Sequence, residues 1–264
     1  MRGYEGWDDY AAYYDWENAQ TVGRRDIAFW ERMAASARRA TARQGSGGAV
    51  LELGCGTGRV AIPVAKSGAT VIGIDRSESM LARGRRKVQR ARVGSNVQLI
   101  RGDIRYLPFP DRTFPLVMAP YGILQSLLDE KLLAATLKDV RRVLTRDGVF
   151  GLELVADLPA WDEYSNRTTL RGERGPHGKP IKLIETVKQD RRRHITRFEQ
   201  TFVEGRGRSA TRKTFTLGFR TLSVPQMVQC LEAAGLEVSS LLGDYQGGAW
   251  DLRADVWIIL ARRG

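Results

Sequence analysis

A glycine-rich segment contains the residue pattern of this chain with the clearest chemical potential. Residues 50–59 read Val-Leu-Glu-Leu-Gly-Cys-Gly-Thr-Gly-Arg, an apolar run followed by a turn with three glycines. Glycines let the backbone approach a ligand closely, and such a turn aims free N–H groups at it. A dinucleotide fingerprint needs glycine where Arg59 stands, and the Lys-Ser or Lys-Thr pair of a phosphate loop is absent. The loop predicts a nucleoside-like ligand without a pyrophosphate; the alternative is a tight turn without ligand.

An acidic residue follows the next apolar run. Asp75 ends residues 71–75 and stands 21 residues after Gly54. A carboxylate at the tip of a second parallel strand is placed to accept hydrogen bonds from two ribose hydroxyls. Its alternative role is to stabilise the helix that follows through the helix dipole. Met80, in the first turn of that helix, either packs on an adenine face or belongs to the core.

A second acidic residue follows a third apolar run at residues 97–101. The sequence there is Gly102-Asp103-Ile104. We expect the Asp103 carboxylate to accept from an adenine amino group and the Ile104 backbone N–H to reach a ring nitrogen. A simple turn aspartate is the alternative.

The elements that must position these residues alternate along the chain. Short, almost purely apolar runs between helical stretches predict a parallel sheet covered on both faces. The predicted strands are 49–53, 70–74, 97–101, 116–119 and 149–155. The predicted helices are 24–43, 59–66, 77–92 (with Ser77 as N-cap) and 129–144, the last ended by a turn at 146–148. Beyond residue 157, segments 181–188, 194–203 and 214–220 alternate with period two, which predicts a small antiparallel sheet. A helix at 224–234 and strands at 236–242 and 254–261 close the chain.

These segments resemble the motifs of class I S-adenosylmethionine-dependent methyltransferases. ELGCGTGR is similar to the first motif of that family, VIGIDRSESML to the second, IRGDIRYLPF to the third and FPLVMAPYGILQSLLD to the fourth. LKDVRRVLTRDGVFGLEL is similar to the family's strand-five region. The resemblance implies an α/β, doubly wound, mostly parallel seven-stranded sheet of order 3-2-1-4-5-7-6 with the last strand antiparallel. It implies S-adenosyl-L-methionine as cofactor and S-adenosyl-L-homocysteine as product. The residues expected to bind the cofactor are Tyr14, Glu52, Gly54, Cys55, Gly56, Gly58, Asp75, Arg76, Met80, Gly102, Asp103, Ile104, Ala119 and Tyr121.

The N-terminal segment is rich in aromatic residues. It contains Tyr4, Trp7, Tyr10, Tyr13, Tyr14 and Trp16. This segment resembles the one that precedes the core in small-molecule methyltransferases of the glycine N-methyltransferase-like group, where it folds over the cofactor as a lid. The alternative is a helix that packs its rings on the core. The predicted organisation is a helical lid at 1–45, a cofactor-binding core at 46–156, an antiparallel insertion covering the active site at 157–222, and a closing helix and hairpin at 223–264.

The fourth motif indicates which kind of molecule receives the methyl group. It reads Ala119-Pro120-Tyr121-Gly122, without the Asn or Asp with which nucleobase amine methyltransferases typically grip their substrate, and without a nucleophilic cysteine. We therefore expect methyl transfer to an N or O atom of a small molecule, with Tyr121 and Gln125 bordering the methyl group. Candidates for a chemical role are Tyr121, which the pattern favours as a pocket wall, and His194, the only histidine near the sheet of the insertion.

Composition and net charge limit the partners, metal sites and cellular location that the chain can have. The chain has 264 residues and a formal net charge of +12, with basic clusters at 38–43, 83–92 and 191–213. Those clusters are interpreted as solvated faces, with an RNA or protein methyltransferase as the alternative. Two cysteines and two histidines predict no disulfide framework and no metal site. No apolar run is long enough to span a bilayer and no secretory signal is present, so a cytoplasmic protein, monomeric or homodimeric, is expected.

Overall fold

The computed structural model describes residues 6–43, 48–155, 162–254 and 256–264. Tyr4 and the proposed domain boundaries near 45 and 156 lie outside the described residues. The helices are α1 (Trp7–Gln20), α2 (Ile27–Arg43), α3 (Ala61–Lys66), α4 (Glu78–Ala91), α5 (Glu130–Val143) and α6 (Val224–Ala233). The strands are β1 (Val50–Leu53), β2 (Val71–Asp75), β3 (Val97–Arg101), β4 (Phe114–Ala119), β5 (Leu144–Leu154), β6 (Tyr164–Gly172), β7 (Ile181–Asp190), β8 (Ile195–Glu204), β9 (Thr211–Arg220), β10 (Leu236–Leu242) and β11 (Trp257–Arg263).

The main sheet has seven strands in the order β10-β11-β5-β4-β1-β2-β3. Strands β1 to β5 pair in parallel, and β11 runs antiparallel to both β5 and β10. Every residue of β1 and β4 is buried, as expected for strands covered by helices on both faces. Numbered without the four inserted strands, this order is 3-2-1-4-5-7-6, so the predicted fold class and topology are confirmed.

Most element boundaries lie close to the predicted ones. Ser77 caps α4, since its hydroxyl accepts from the Met80 backbone N–H at 3.1 Å. The turn expected at 146–148 is wrong, because β5 begins directly at Leu144 and contains those residues. A register shift between Phe114 and Leu116 in the pairing of β4 with β5 accommodates the longer strand.

The insertion is a four-stranded antiparallel sheet in the order β6-β7-β8-β9. Strand β6 was not predicted from the sequence. None of its residues is buried, and its sequence therefore lacks the alternation of apolar and polar side chains that indicates a strand. Phe202 and Phe215 are buried and contact the rings of Tyr10 and Tyr13 of α1. Phe202 stacks on the Tyr13 ring with centroids 4.4 Å apart. The aromatic face of the insertion therefore packs mainly on the N-terminal helix.

Helix α1 is fastened to the core by two aspartates on one face. The Asp8 carboxylate accepts from the Ser77 hydroxyl at 2.6 Å. The Asp15 carboxylate accepts from the Thr57 hydroxyl at 2.6 Å and from the Lys87 ammonium at 2.5 Å. Since residues seven apart share a helix face, these contacts hold one side of α1 on the main domain while its tyrosines contact the insertion. None of the helices in the described ranges has the length and hydropathy needed to span a membrane.

Candidate active site

A cavity of about 1030 Å³ lies where the carboxyl ends of the parallel strands meet α1 and the insertion. Its volume is at the upper end of the range for ligand pockets, roughly 300–1000 Å³. One end is lined by the turn after β1, the tips of β2 and β3 and the first turn of α4. The other end is lined by β7 to β9, by α1 and by the end of β5. Carboxyl ends of parallel strands are the usual place for ligands in open α/β sheets.

The glycine turn after β1 supplies bare backbone to this cavity. Gly54, Gly56 and Gly58 have φ angles of +64°, +52° and +77°, in the left-handed region that favours glycine. A Cβ atom at Gly54 would stand 2.5 Å from the Ile123 side chain. Gly54 and Gly56 line the cavity, whereas Gly58 does not and serves the turn into α3.

Asp75 at the tip of β2 is held by backbone donors. Its two carboxylate oxygens accept from the Gly56 N–H and the Ser77 N–H, each at 2.8 Å. Burial raises the pKa of Asp75 above its ordinary value, although these donors act in the opposite direction. The carboxylate therefore joins the glycine turn to the start of α4 and lines the cavity between them.

Asp103 after β3 is partly engaged by arginine. Arg105 reaches the Asp103 carboxylate with its Nε at 2.9 Å and a terminal nitrogen at 2.6 Å, and Arg76 lies 3.3 Å away. Partial burial acts to raise the pKa of Asp103, but the hydrogen bonds and charge of Arg105 outweigh it and hold the pKa low. Arg76, Gly102, Asp103 and Ile104 all line the cavity, as does Met80, which also joins the apolar cluster beneath α1. Arg105 lies within the third motif but was not predicted as a site residue, because its pairing with Asp103 is a side-chain contact that the motif does not specify.

Three further residues expected at the cofactor, besides Gly58, lie beneath the site and do not line the cavity. Glu52 and Ala119 are buried within β1 and β4. The Cys55 side chain fills the space over Gly73, where an added Cβ would meet it at 2.7 Å. Burial raises the pKa of Glu52 to about 8, and the Arg59 charge opposes that rise. These residues pack around the glycine turn, and their expected contact with the cofactor stays a prediction.

Arg59 forms a buried ion pair. In the sequence this residue stood out only because a dinucleotide fingerprint would have glycine at its position. Its guanidinium donates to both oxygens of Asp26 at 2.6 and 2.8 Å, and Asp26 is fully buried. The Tyr121 ring lies 5.6 Å from the guanidinium carbon. The pair ties the start of α3 to the segment before α2, and it places a cation under an aromatic wall of the cavity.

Tyr121 lines the cavity from a strained turn after β4. Its φ angle is +51°, in a region that non-glycine residues rarely occupy. The backbone N–H of Tyr121 donates to the Glu153 carboxylate at 3.0 Å, and the Tyr245 hydroxyl donates to the other Glu153 oxygen at 2.7 Å. Burial raises the pKa of the Tyr121 phenol. Tyr14 of α1 lines the same cavity.

Two residues predicted at the acceptor end do not line the cavity. Gln125 does not border the cavity: it is fully buried, with its amide oxygen accepting from the Val155 N–H at 2.8 Å. His194 lies on the exposed turn between β7 and β8, beside a separate shallow depression that Gln189 and Ser223 also line. The structure therefore does not bring His194 to the site, because the turn that carries it faces away from the cavity.

A polar cluster at the acceptor end was not found from the sequence. The Gln200 amide of β8 donates to Glu17 of α1 and to Glu185 of β7, each at 2.9 Å. The Tyr164 hydroxyl of β6 donates to the second Glu185 oxygen. Glu17, Gln200 and Glu185 line the cavity. Among the described residues, no group of three or more His, Cys, Asp or Glu side chains has the arrangement of a metal site.

Comparison with known proteins identifies a methyltransferase domain in the chain. Residues 50–148 match the family model described as a methyltransferase domain. A demethylmenaquinone methyltransferase of Lactiplantibacillus plantarum is 42% identical over 98 residues, which cover 36% of this chain and 40% of the relative. The ubiquinone/menaquinone biosynthesis C-methyltransferase UbiE of Geobacter sulfurreducens is 32% identical over 146 residues, covering 53% of this chain and 52% of the relative. The matches thus span about half or less of these curated relatives.

A solved structure extends the similarity to nearly the whole chain. The sugar N-methyltransferase KedS8 from Streptoalloteichus sp superposes with a TM-score of 0.70 and 16% identity, covering 95% of this chain and 92% of that one. At this identity the likeness shows the fold. The domain match identifies residues 50–148 as a methyltransferase domain. The motif order and the shared fold agree with the predicted resemblance to class I S-adenosylmethionine-dependent methyltransferases.

Proposed function

We propose that this protein transfers the methyl group of S-adenosylmethionine to an N or O atom of a small molecule and releases S-adenosylhomocysteine. The observation that carries the proposal is one continuous cavity. It joins the glycine turn, Asp75 and Asp103 at one end to the cluster of Glu17, Gln200 and Glu185 at the other. A donor and an acceptor bound at these two ends would share one cavity, which Tyr14 and Tyr121 also line.

The residues at the first end fit this cofactor. The bare backbone at Gly54 and Gly56 lines the cavity and would hold the methionyl part. A side chain at Gly54 would collide with Ile123. Asp75 would hold the ribose, and Asp103 with the Ile104 backbone would hold the adenine. When bound, the cofactor supplies a methyl group already activated by a sulfonium. The faces of Tyr14 and Tyr121 can attract that positive charge.

The protein then has to align two reactants and exclude water, because the donor needs no further activation. Helix α1 covers the cavity and is tied to the glycine turn through Asp15 and Thr57. The insertion closes the acceptor end with Leu170, Phe198 and Leu217. These side chains remove water from the space in which the methyl group moves, and a base is needed only for an acceptor that arrives protonated.

The alternatives differ in the acceptor. Relatives named as quinone methyltransferases include one that acts on carbon, so a carbon acceptor competes with N and O. The polar cluster supports N or O, because a carbon nucleophile does not require two carboxylates and an amide at its pocket wall. An RNA or protein acceptor would use the exposed basic residues 191–193, which do not line the cavity.

The test is incubation of the purified protein with methyl-labelled S-adenosylmethionine and a fractionated metabolite extract, with RNA and protein fractions assayed in parallel. We expect label in a small product and none with an Asp75→Ala variant. The carbon chemical shift of the transferred methyl group in the isolated product shows whether it is attached to N, O or C. Label confined to RNA or protein, or attached to carbon, would contradict the proposal.

A further inference from the structure

We propose that the acceptor is an amine, received as an ammonium ion by Glu17 and Glu185 with Gln200 holding both carboxylates in place. This inference rests on the proposed function and names the substrate class of the same site. It assigns a role to three side chains that come from α1 and from two strands of the insertion.

The geometry leaves acceptor atoms without partners. Gln200 is only 4% exposed, and its amide nitrogen is used by the two carboxylates at 2.9 Å each. Its amide oxygen and one Glu17 oxygen are buried and have no hydrogen-bond partner within the described residues. Buried polar atoms are almost always paired, and leaving one unpaired costs roughly 1–3 kcal/mol. Both atoms belong to residues that line the cavity, so a ligand with several N–H donors would satisfy them.

The negative charge of the cluster indicates which kind of N–H donor the ligand carries. Glu17 and Glu185 form no ion pair with any described lysine, arginine or histidine. Arg59 is committed to Asp26, and Arg25, which also lines the cavity, acts on Tyr245 beside Glu153. Two neighbouring carboxylates without a cation favour a positively charged ligand. An alcohol would supply one hydrogen bond and no charge.

The position of Glu17 also gives the proton a destination. Burial, with the Glu185 charge adding to it, raises the pKa of Glu17 to about 7, so the carboxylate can accept a proton near neutral pH. Glu17 is close enough to Tyr121 for its charge to raise the pKa of that phenol. An ammonium proton moves to Glu17. The freed nitrogen lone pair then forms the N–CH₃ bond while the S–CH₃ bond breaks and its electron pair remains on sulfur.

The experiment measures binding by calorimetry to protein saturated with S-adenosylhomocysteine. Three amines are compared with their hydroxyl counterparts: benzylamine with benzyl alcohol, cyclohexylamine with cyclohexanol, and glucosamine with glucose. We expect at least one amine to bind about tenfold more tightly than its counterpart, as for a charge-assisted hydrogen bond. Glu17→Gln and Glu185→Gln should each reduce that preference severalfold. Glu199→Gln, on the exposed face of β8 beside Gln200, is the matched control and should retain it.

Equal or tighter binding of every hydroxyl compound, absence of binding by all three amines, or an amine preference that survives both Glu variants would overturn the proposal. A first titration with S-adenosylhomocysteine alone distinguishes failure of the proposed function from failure of the proposed substrate class. Failure of that compound to bind would remove the proposed function itself. Normal binding without amine preference would remove only the substrate class. Folding of each variant is checked by its unchanged affinity for S-adenosylhomocysteine.

Discussion

The Asp15 carboxylate accepts a hydrogen bond of 2.6 Å from the hydroxyl of Thr57, which lies in the middle of the glycine turn. Lys87 of α4 donates to the same Asp15 oxygen and to the Thr57 hydroxyl oxygen. The helix that covers the cavity and the backbone expected to contact the cofactor are therefore joined side chain to side chain. Opening of α1 has to break this contact, so the structure couples access to the cavity with the conformation of the turn.

Replacement of Asp15 tests this coupling. We expect Asp15→Ala to weaken S-adenosylhomocysteine binding about tenfold, mainly through faster dissociation, since a hydrogen bond to a charged group contributes roughly 1.5–3 kcal/mol. Stopped-flow competition gives the dissociation rate. Gln20→Ala, at the exposed end of α1, is the control and should bind normally. An Asp15 variant with an unchanged dissociation rate would show that α1 does not govern access.

The cofactor end makes a second prediction. We expect Asp75→Ala and Gly56→Val each to abolish detectable S-adenosylhomocysteine binding in calorimetry. Loss of the carboxylate removes the proposed ribose acceptor, and valine at a φ of +52° strains the turn and directs a branched side chain into the cavity. His194→Ala, on a turn remote from the cavity, should bind and turn over normally. Normal affinity of the Asp75 variant would show that the ribose lies elsewhere.

The Arg59–Asp26 pair makes a prediction about stability. Because Asp26 is fully buried, removal of Arg59 leaves a charge without its partner. We expect Arg59→Met to lower the free energy of unfolding by about 3–5 kcal/mol. The double variant Asp26→Leu with Arg59→Met should recover much of that loss. Urea denaturation measures both, and Arg85→Met at the exposed pair with Glu78 should change stability by less than about 1 kcal/mol.

The fold and one end of the cavity could be predicted from the sequence, because the residues at that end lie next to their strands along the chain. Gly54, Asp75 and Asp103 each follow an apolar strand, and parallel strands bring their carboxyl ends to one edge. The acceptor end could not be found this way. Glu17 and Gln200 are 183 residues apart, and their contact depends on how α1 docks on the insertion. Residue type alone made His194 a candidate, and its turn does not line the cavity.

The raised pKa of Glu17 predicts a pH dependence for kcat/KM with an amine acceptor. Its carboxylate has to be ionised to accept the ammonium proton, so activity should rise as pH increases through about 7. The groups that face Glu17 are Glu185 and Gln200 of the insertion and Tyr121 after β4. Burial raises the pKa of the Tyr121 phenol, so that group stays neutral across this range. Glu17→Gln should remove the rise and Glu199→Gln should retain it. A pH–rate profile that keeps its rise near pH 7 in the Glu17 variant would assign that ionisation to another group.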